Sequence, residues 1–242
     1  MGLKEPGLRG SLRNVSVGIR VIPDRGVYIQ DDWGDGNLSP RDDSNTREQT
    51  IGGNTYDTTY RPDWTSVDGS PSASADNSGY MEIEDNETVE TDSVFAEDDM
   101  AIYIRWRMTG TTAGSGRRRV FHFWADESAD YRDSGNAWYF NFNPGDGDQV
   151  YNLTKLDGGS ETNVIDGSVG VGTSEHETEI IRLNGEDWEL KHDGQTVGTA
   201  TDSFAPTADA SADKIHIQAG SNADAWRILD FYIGAPGDVP SA

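Results

Sequence analysis

From residue 79 onward the chain repeats one device. Short alternating runs follow one another: YMEIE, AIYIRWRM, RRVFHFWA, AWYFNF, QVYNLTKL, HETEIIRL, DWELKH, TVGTA, KIHIQA and AWRILDFYIG. Residues that favour turns separate them. Alternation puts successive side chains on opposite faces, so each run reads as a strand half buried against a core. No segment shows a convincing apolar period of 3.6. Many short strands at this spacing predict an all-β protein, an antiparallel β-sandwich of the jelly-roll kind. The last run is largely apolar on both faces. Ala225, Arg227, Leu229, Phe231 and Ile233 alternate with Trp226, Ile228, Asp230 and Tyr232, as expected of a strand inside a two-layer stack.

Within this series, WELKHDGQTVGTA at residues 188–200 predicts a hairpin. Asp193-Gly194 suits a two-residue turn in which both central residues take positive φ. Trp188 and Leu190 then point into the core, and Glu189 and Lys191 point out.

A chain of 242 residues fits one large β domain or two small ones. Its 7 Trp, 9 Tyr and 7 Phe supply the surface for a core, and with no Cys the fold rests on packing or on a metal. No apolar run approaches the ~20 residues that span a bilayer. The N-terminus has no apolar region of a secretory signal. Membrane insertion is therefore not expected.

The net charge is −24, from 43 Asp and Glu against 19 Lys and Arg, with only four lysines. The acid is spread along a sequence rich in aromatics, unlike a disordered acidic tail. It reads as the surface of a protein built for high salt, where screening shortens to ~3 Å at about 1 M; a merely acidic mesophilic protein is the other reading. Nucleic acid is not an expected partner, because phosphate binding needs basic surface. Residues 1–25 are the exception: Lys4, Arg9, Arg13, Arg20 and Arg25 stand against Glu5 and Asp24, a net of +3 that leaves −27 for the remainder. We expect residues 1–25 to be an attachment and oligomerisation segment, including an edge or docking strand at VSVGIRVI, with a disordered terminus that merely happens to be basic as the other reading, and residues 26–242 to be the sandwich. Residues 40–78 are polar and rich in Asp, Ser, Thr and Gly, and read as a long loop.

The run HETEIIRLNGEDWELKHDGQTVGTATDSF, the Asp-bearing closing strand ILDFYIG and the opening DDWGDGNLS resemble a concanavalin A-like, or laminin-G-like, domain. AIYIRWRM, WYFNF and YNLTKLDGG fall where strands of that jelly roll would stand. The resemblance covers about residues 27–235. It implies the fold, and it leaves open lectins, adhesion modules and hydrolases, which all use it. The head GLKEPGLRGSLRNVSVGI, followed by IPDRGVYIQDDW and the acidic body, resembles surface or tail proteins of tailed viruses that infect halophilic archaea. That likeness implies a structural and adhesion protein on the virion surface, assembled in the host cytoplasm. It would dock on other virion proteins through Lys4, Arg9, Arg13 and Arg20. It would form a homo-oligomer and bind a host glycan, without enzymatic activity.

Candidate sites follow from residue chemistry. Tyr56, Tyr60, Trp64 and Tyr131, with Arg132, Asp133 and Asn136 beside the last, are loop residues able to grip a sugar by stacking and hydrogen bonds; pinning of loops is the other reading. Arg117, Arg118 and Arg119 in GSGRRRV form the one dense basic cluster of the body, able to meet an anionic glycan or, by default, intramolecular carboxylates. The concanavalin-like resemblance implies a structural calcium between Asp32 and Asp230, and hard cations do need several oxygens; solvated acidic turns are the alternative. MEIEDNE offers Glu82, Glu84 and Glu87 for a glycoside hydrolase, with Glu82 and Glu84 on one strand face. A purely structural decoration without ligand is the third reading. His122, His176, His192 and His216 are scattered and lack metal-ligand spacing, so they read as strand-face or loop residues.

Overall fold

The computed structural model describes residues 27–31, 33, 38, 46–51, 54–59, 64–74, 79–92, 99–111, 119–125, 135–143, 150–204, 214–220, 224–237 and 239–240. The attachment segment expected at residues 1–25 lies outside them. Every regular element among the described residues is a strand. They are β1 (Val27–Asp31), β2 (Thr46–Ile51), β3 (Asn54–Thr59), β4 (Thr65–Asp68), β5 (Ser72–Ser74) and β6 (Tyr80–Ile83). Then come β7 (Thr88–Asp92), β8 (Met100–Met108), β9 (Arg119–Ala125), β10 (Ala137–Phe142), β11 (Val150–Asp157) and β12 (Ser160–Ser168). The chain closes with β13 (Glu175–Leu183), β14 (Asp187–His192), β15 (Gln195–Thr201), β16 (Lys214–Ala219) and β17 (Trp226–Gly234). No helix among the described residues is long and apolar enough to cross a membrane.

Two antiparallel sheets form a sandwich. Sheet 1 has eight strands in the order β15-β14-β13-β8-β17-β6-β5, with β1 also paired to β17. Sheet 2 has seven, in the order β12-β11-β10-β9-β16-β7-β4. The hairpin β2-β3 stands as a pair of its own. Thus the 40–78 stretch, read as loop, contributes four short strands. Their sequences carry no apolar alternation, and all four residues of β4 are exposed, so nothing in the pattern marks them as strands.

The core lies between the sheets and is dominated by rings. Trp33, Trp64, Trp106, Trp138, Trp188 and Trp226 are all fully buried. Trp106 stacks on Phe142 with centroids 4.3 Å apart and meets Trp226 edge-on at 6.3 Å. The predicted hairpin is present: His192 pairs with Gln195 across Asp193 and Gly194, whose φ values are 47° and 76°. Trp188 and Leu190 are buried, Glu189 and Lys191 are not.

The closing strand departs from simple alternation. Its register against β8 shifts between Ile228 and Asp230. This bulge adds a residue, so both Ile228 and Leu229 are buried and the inward face passes from Trp226 and Ile228 to Phe231 and Ile233. Asp230 and Tyr232 are then turned outward with Arg227. The predicted faces hold only up to the bulge.

At one flank the two sheets touch through glycine. A Cβ on Gly198 of β15 would stand 2.6 Å from Ile165 Cγ2 of β12, and one on Gly167 of β12 would stand 2.2 Å from Val197 Cγ1 of β15. Each strand thus sets a branched side chain against the other's bare backbone.

Candidate ligand-binding site

Register decides which side chains share the outer face of sheet 2. Cα partners run without a break from Thr65 to Glu90, His216, His122, Tyr139, Thr154 and Asn163, across all seven strands. A second row runs from Thr88 to Gln218, Val120, Asn141, Asn152 and Asp166. The inner face of the same strands carries Phe121, Phe140, Tyr151 and Leu153, all fully buried. The alternation that builds the core therefore also lays two mostly polar rows on the opposite side.

Toward β12 these rows line a cavity of about 650 Å³. Tyr139, Asn141 and Asn152 are buried in its floor. Glu161, Asn163, Asp166 and Ser168 stand exposed along the β12 rim. Hydrogen bonds fix the amides. Asn141 Nδ2 donates to Thr154 Oγ1 (3.2 Å), which donates to Asn163 Oδ1 (2.8 Å). The Gly167 N–H donates to Asn152 Oδ1 (3.1 Å). Asn152 and Asn163 thus use their carbonyls internally and keep NH₂ groups as donors, while Glu161 and Asp166 supply acceptors. Preset donors and acceptors beside an aromatic ring suit a polyhydroxylated ligand, whose hydroxyls both give and accept hydrogen bonds. The Tyr139 ring is itself backed by His122, 5.1 Å between centroids, and His122 by His216 at 5.3 Å.

Two of the residues proposed from sequence, Trp64 and Asn136, fall elsewhere. Trp64 is not a loop platform: it is 1% exposed and packs against Trp33 and Phe231 in the core. Asn136 accepts a hydrogen bond from the Gly158 N–H (3.0 Å), tying the start of β10 to the β11-β12 turn. Tyr56 lies in β3, without a described side chain. Tyr60, Tyr131, Arg132 and Asp133 lie outside the described residues. So do Arg117 and Arg118; Arg119 is buried and donates to the Asp224 carbonyl (2.6 Å), so it is no part of a basic surface.

Nor do the carboxylates gather. Glu82 is ion-paired with Arg227 on the outer face of sheet 1. Glu87 accepts from the Ser70 N–H (2.9 Å) and the Glu84 N–H (2.8 Å), and so holds two turns. Asp230, one half of the calcium pair implied by resemblance, is held by Arg105 through Nε (2.6 Å) and Nη2 (2.5 Å). A guanidinium already balances that carboxylate; Asp32 lies outside the described residues.

The groove was not found from sequence, because its residues sit on β10, β11 and β12 and meet only through register. The histidines were missed in the same way. His122 and His216 are direct Cα partners, and His176 stacks on His192 with centroids 5.0 Å apart.

No protein-family model matches the chain, and no curated protein matches it. Solved structures do. A Bacillus subtilis protein of unknown function with a galectin-like fold is similar over 72% of this chain and 89% of its own, at 13% identity and a TM-score of 0.53. The fold is a galectin-like jelly roll. The potassium-bound carbohydrate recognition domain of Emp46p matches over 70% of this chain and 87% of its own, at 12% identity and a TM-score of 0.51. A conserved carbohydrate esterase from the Shiga toxin-encoding bacteriophage phi24B matches over 71% and 89%, at 13% identity and a TM-score of 0.50. At these identities the jelly roll is what is shared, and the chemistry of this chain has to come from its own side chains.

Proposed function

We propose that this chain is a non-enzymatic glycan-binding protein displayed on the surface of a virus particle that works in high salt. The observation that carries the reading is the groove on sheet 2, where Tyr139, Asn152, Asn163, Glu161 and Asp166 meet as ring, donors and acceptors. The Emp46p domain is named for carbohydrate recognition, and its likeness supports the reading at the level of fold alone. Glu161 and Asp166 rim the groove, and none of the described residues lining it is basic, so it favours neutral or amino sugars over anionic ones. Each partner sugar hydroxyl trades water for a preset group, and the carboxylate contacts are the stronger ones.

Residues 1–25, with Lys4, Arg9, Arg13 and Arg20, dock this acidic body onto other virion proteins. The assembly is a homo-oligomer that follows the symmetry of its base. Support for this part comes from the charge split along the sequence, +3 in the head against −27 in the rest. The excess of acid supports a high-salt setting, where screening makes it tolerable.

A glycan array probed with the purified full chain at about 1 M salt, where screening reaches ~3 Å, tests the binding. Retention of neutral or amino glycans, lost on Glu161→Ala with Asp166→Ala, is the expected result. Silence across the array points to decoration without a ligand, and turnover of any bound glycan ends the non-enzyme reading. Deletion of residues 1–20 is expected to abolish incorporation into particles while the sandwich still folds; particles that keep the truncated chain refute the docking role.

A further inference from the structure

Away from the groove, at the end of the sandwich where β13 begins and β14 turns into β15, two imidazoles and a carboxylate converge. His176 Nδ1 lies 2.8 Å from Asp193 Oδ2, and His192 Nε2 lies 3.4 Å from the same oxygen. One donor atom from each of the three residues lies within 4.8 Å of the other two. We propose that His176, His192 and Asp193 form a binding site for a divalent first-row transition-metal ion, with zinc as the reference ion.

The spacing is right for one ion. Zinc takes imidazole nitrogen at about 2.0–2.1 Å and carboxylate oxygen at about 2.0–2.2 Å, so ligand atoms around a tetrahedral ion stand roughly 3.3 Å apart. Two of the distances here bracket that value, and an ion between the three atoms replaces the direct His176–Asp193 hydrogen bond. Two nitrogens and one oxygen select zinc and its neighbours over calcium or magnesium, which prefer all-oxygen sets.

The donors are held by the fold. His176 and His192 are buried, 6% and 8% exposed, and both rings pack on the Trp106 indole at 5.2 and 6.3 Å. Asp193 sits in the tight turn whose positive φ was read from the sequence, and its Oδ1 accepts the Glu177 N–H (2.8 Å), which leaves Oδ2 for the imidazoles.

A supporting layer lies behind the donors. His192 Nδ1 is 3.1 Å from the Tyr151 hydroxyl, which is 2.5 Å from Thr178 Oγ1, and Trp106 Nε1 donates to that same oxygen (2.8 Å). With metal on Nε2, His192 Nδ1–H donates to Tyr151, the arrangement that orients metal-bound imidazoles. On His176 the far nitrogen, Nε2, accepts the Gly172 N–H (3.1 Å) and lies 3.3 Å from Ser174 Oγ. The metal-free ring therefore carries its proton on Nδ1, toward Asp193. Loading moves that proton to Nε2, where Ser174 Oγ takes the hydrogen bond and Gly172 gives up its contact. No net proton is released from this ring. The Asp193 side chain is 46% exposed, so the ion enters from solvent and keeps a coordination position open to it.

The test uses the full chain stripped of metal and held at about 1 M salt, so that surface carboxylates do not collect ions. Zinc is titrated against a chromophoric chelator. Cobalt(II) absorption and copper(II) paramagnetic resonance report the ligands. The expected results are one zinc per chain, visible cobalt bands of a low-coordinate site and nitrogen splitting from two imidazoles. Asp193→Asn keeps the turn and the Glu177 bond, and should weaken zinc by about tenfold or more. His192→Asn should remove one nitrogen from the copper spectrum; if it fails to fold, Asp193→Asn and the cobalt spectrum decide. Absence of zinc binding, or binding that Asp193→Asn leaves unchanged, overturns the proposal and leaves a metal-free hydrogen-bonded cluster.

Discussion

Trp138 of sheet 2 and Trp188 of sheet 1 meet across the core with ring centroids 4.2 Å apart. Both indoles reach the same segment: Trp138 Nε1 donates to the Phe204 carbonyl and Trp188 Nε1 to the Asp202 carbonyl, each at 3.0 Å. Lys155 pairs with Asp202 at 2.5 Å on the same segment. The joint therefore fastens the exit of β15 to both sheets. Trp188→Ala should cost about 3–5 kcal/mol, as large core deletions do. Trp188→Phe keeps most of the ring but frees a carbonyl, for roughly 1–3 kcal/mol. Urea midpoints give both values, and an unchanged slope would show that the loss is one of stability.

The groove separates binding from folding. Glu161 and Asp166 are exposed on the rim, so replacing either with Ala should leave the melting temperature almost unmoved, within about 0.5 kcal/mol. Each should weaken a bound glycan by roughly tenfold, the equivalent of about 1.4 kcal/mol. Calorimetric titration beside a thermal melt reads both effects; equal losses in the two would mean that the rim is structural.

Asp230 is expected to act through Arg105 and not through calcium. Asp230→Asn should lower stability by about 1 kcal/mol, the scale of a partly exposed ion pair. The loss should be the same with calcium and with a chelator present. A loss that appears only with calcium would restore an ion at this carboxylate.

Gly198 tests the contact between the sheets. An added methyl would meet Ile165 Cγ2 at 2.6 Å, so Gly198→Ala should cost about 1–3 kcal/mol through overpacking. Adding Ile165→Ala removes the clashing atom, and the double variant should lose less than the sum of the two singles. Additive losses would mean that the strands part freely.

The architecture was legible wherever apolar alternation was strong. The hairpin at 188–200, with its Asp193-Gly194 turn, could be read residue by residue because sequence neighbours alone determine it. β2 to β5 and β12 could not, because they carry few apolar residues and no apolar alternation, and pairing, not patterning, makes them strands. The closing strand was misread past Ile228 because a bulge leaves no mark in the alternation. Trp64 sat in a polar stretch and looked like a loop aromatic; the core reaches out to take it. The groove and the histidine pairs depend on register between strands far apart in sequence: His122 and His216 are neighbours only once β9 lies beside β16.

The reciprocal fit of Ile165 over Gly198 and Val197 over Gly167 bears on how copies could associate. It latches β12 to β15, the terminal strands at one side of both sheets. Sheet borders carry unpaired backbone groups and are where copies of a β protein join. A latch of this kind keeps the two border strands from parting, so a wider residue at either glycine would loosen both borders at once.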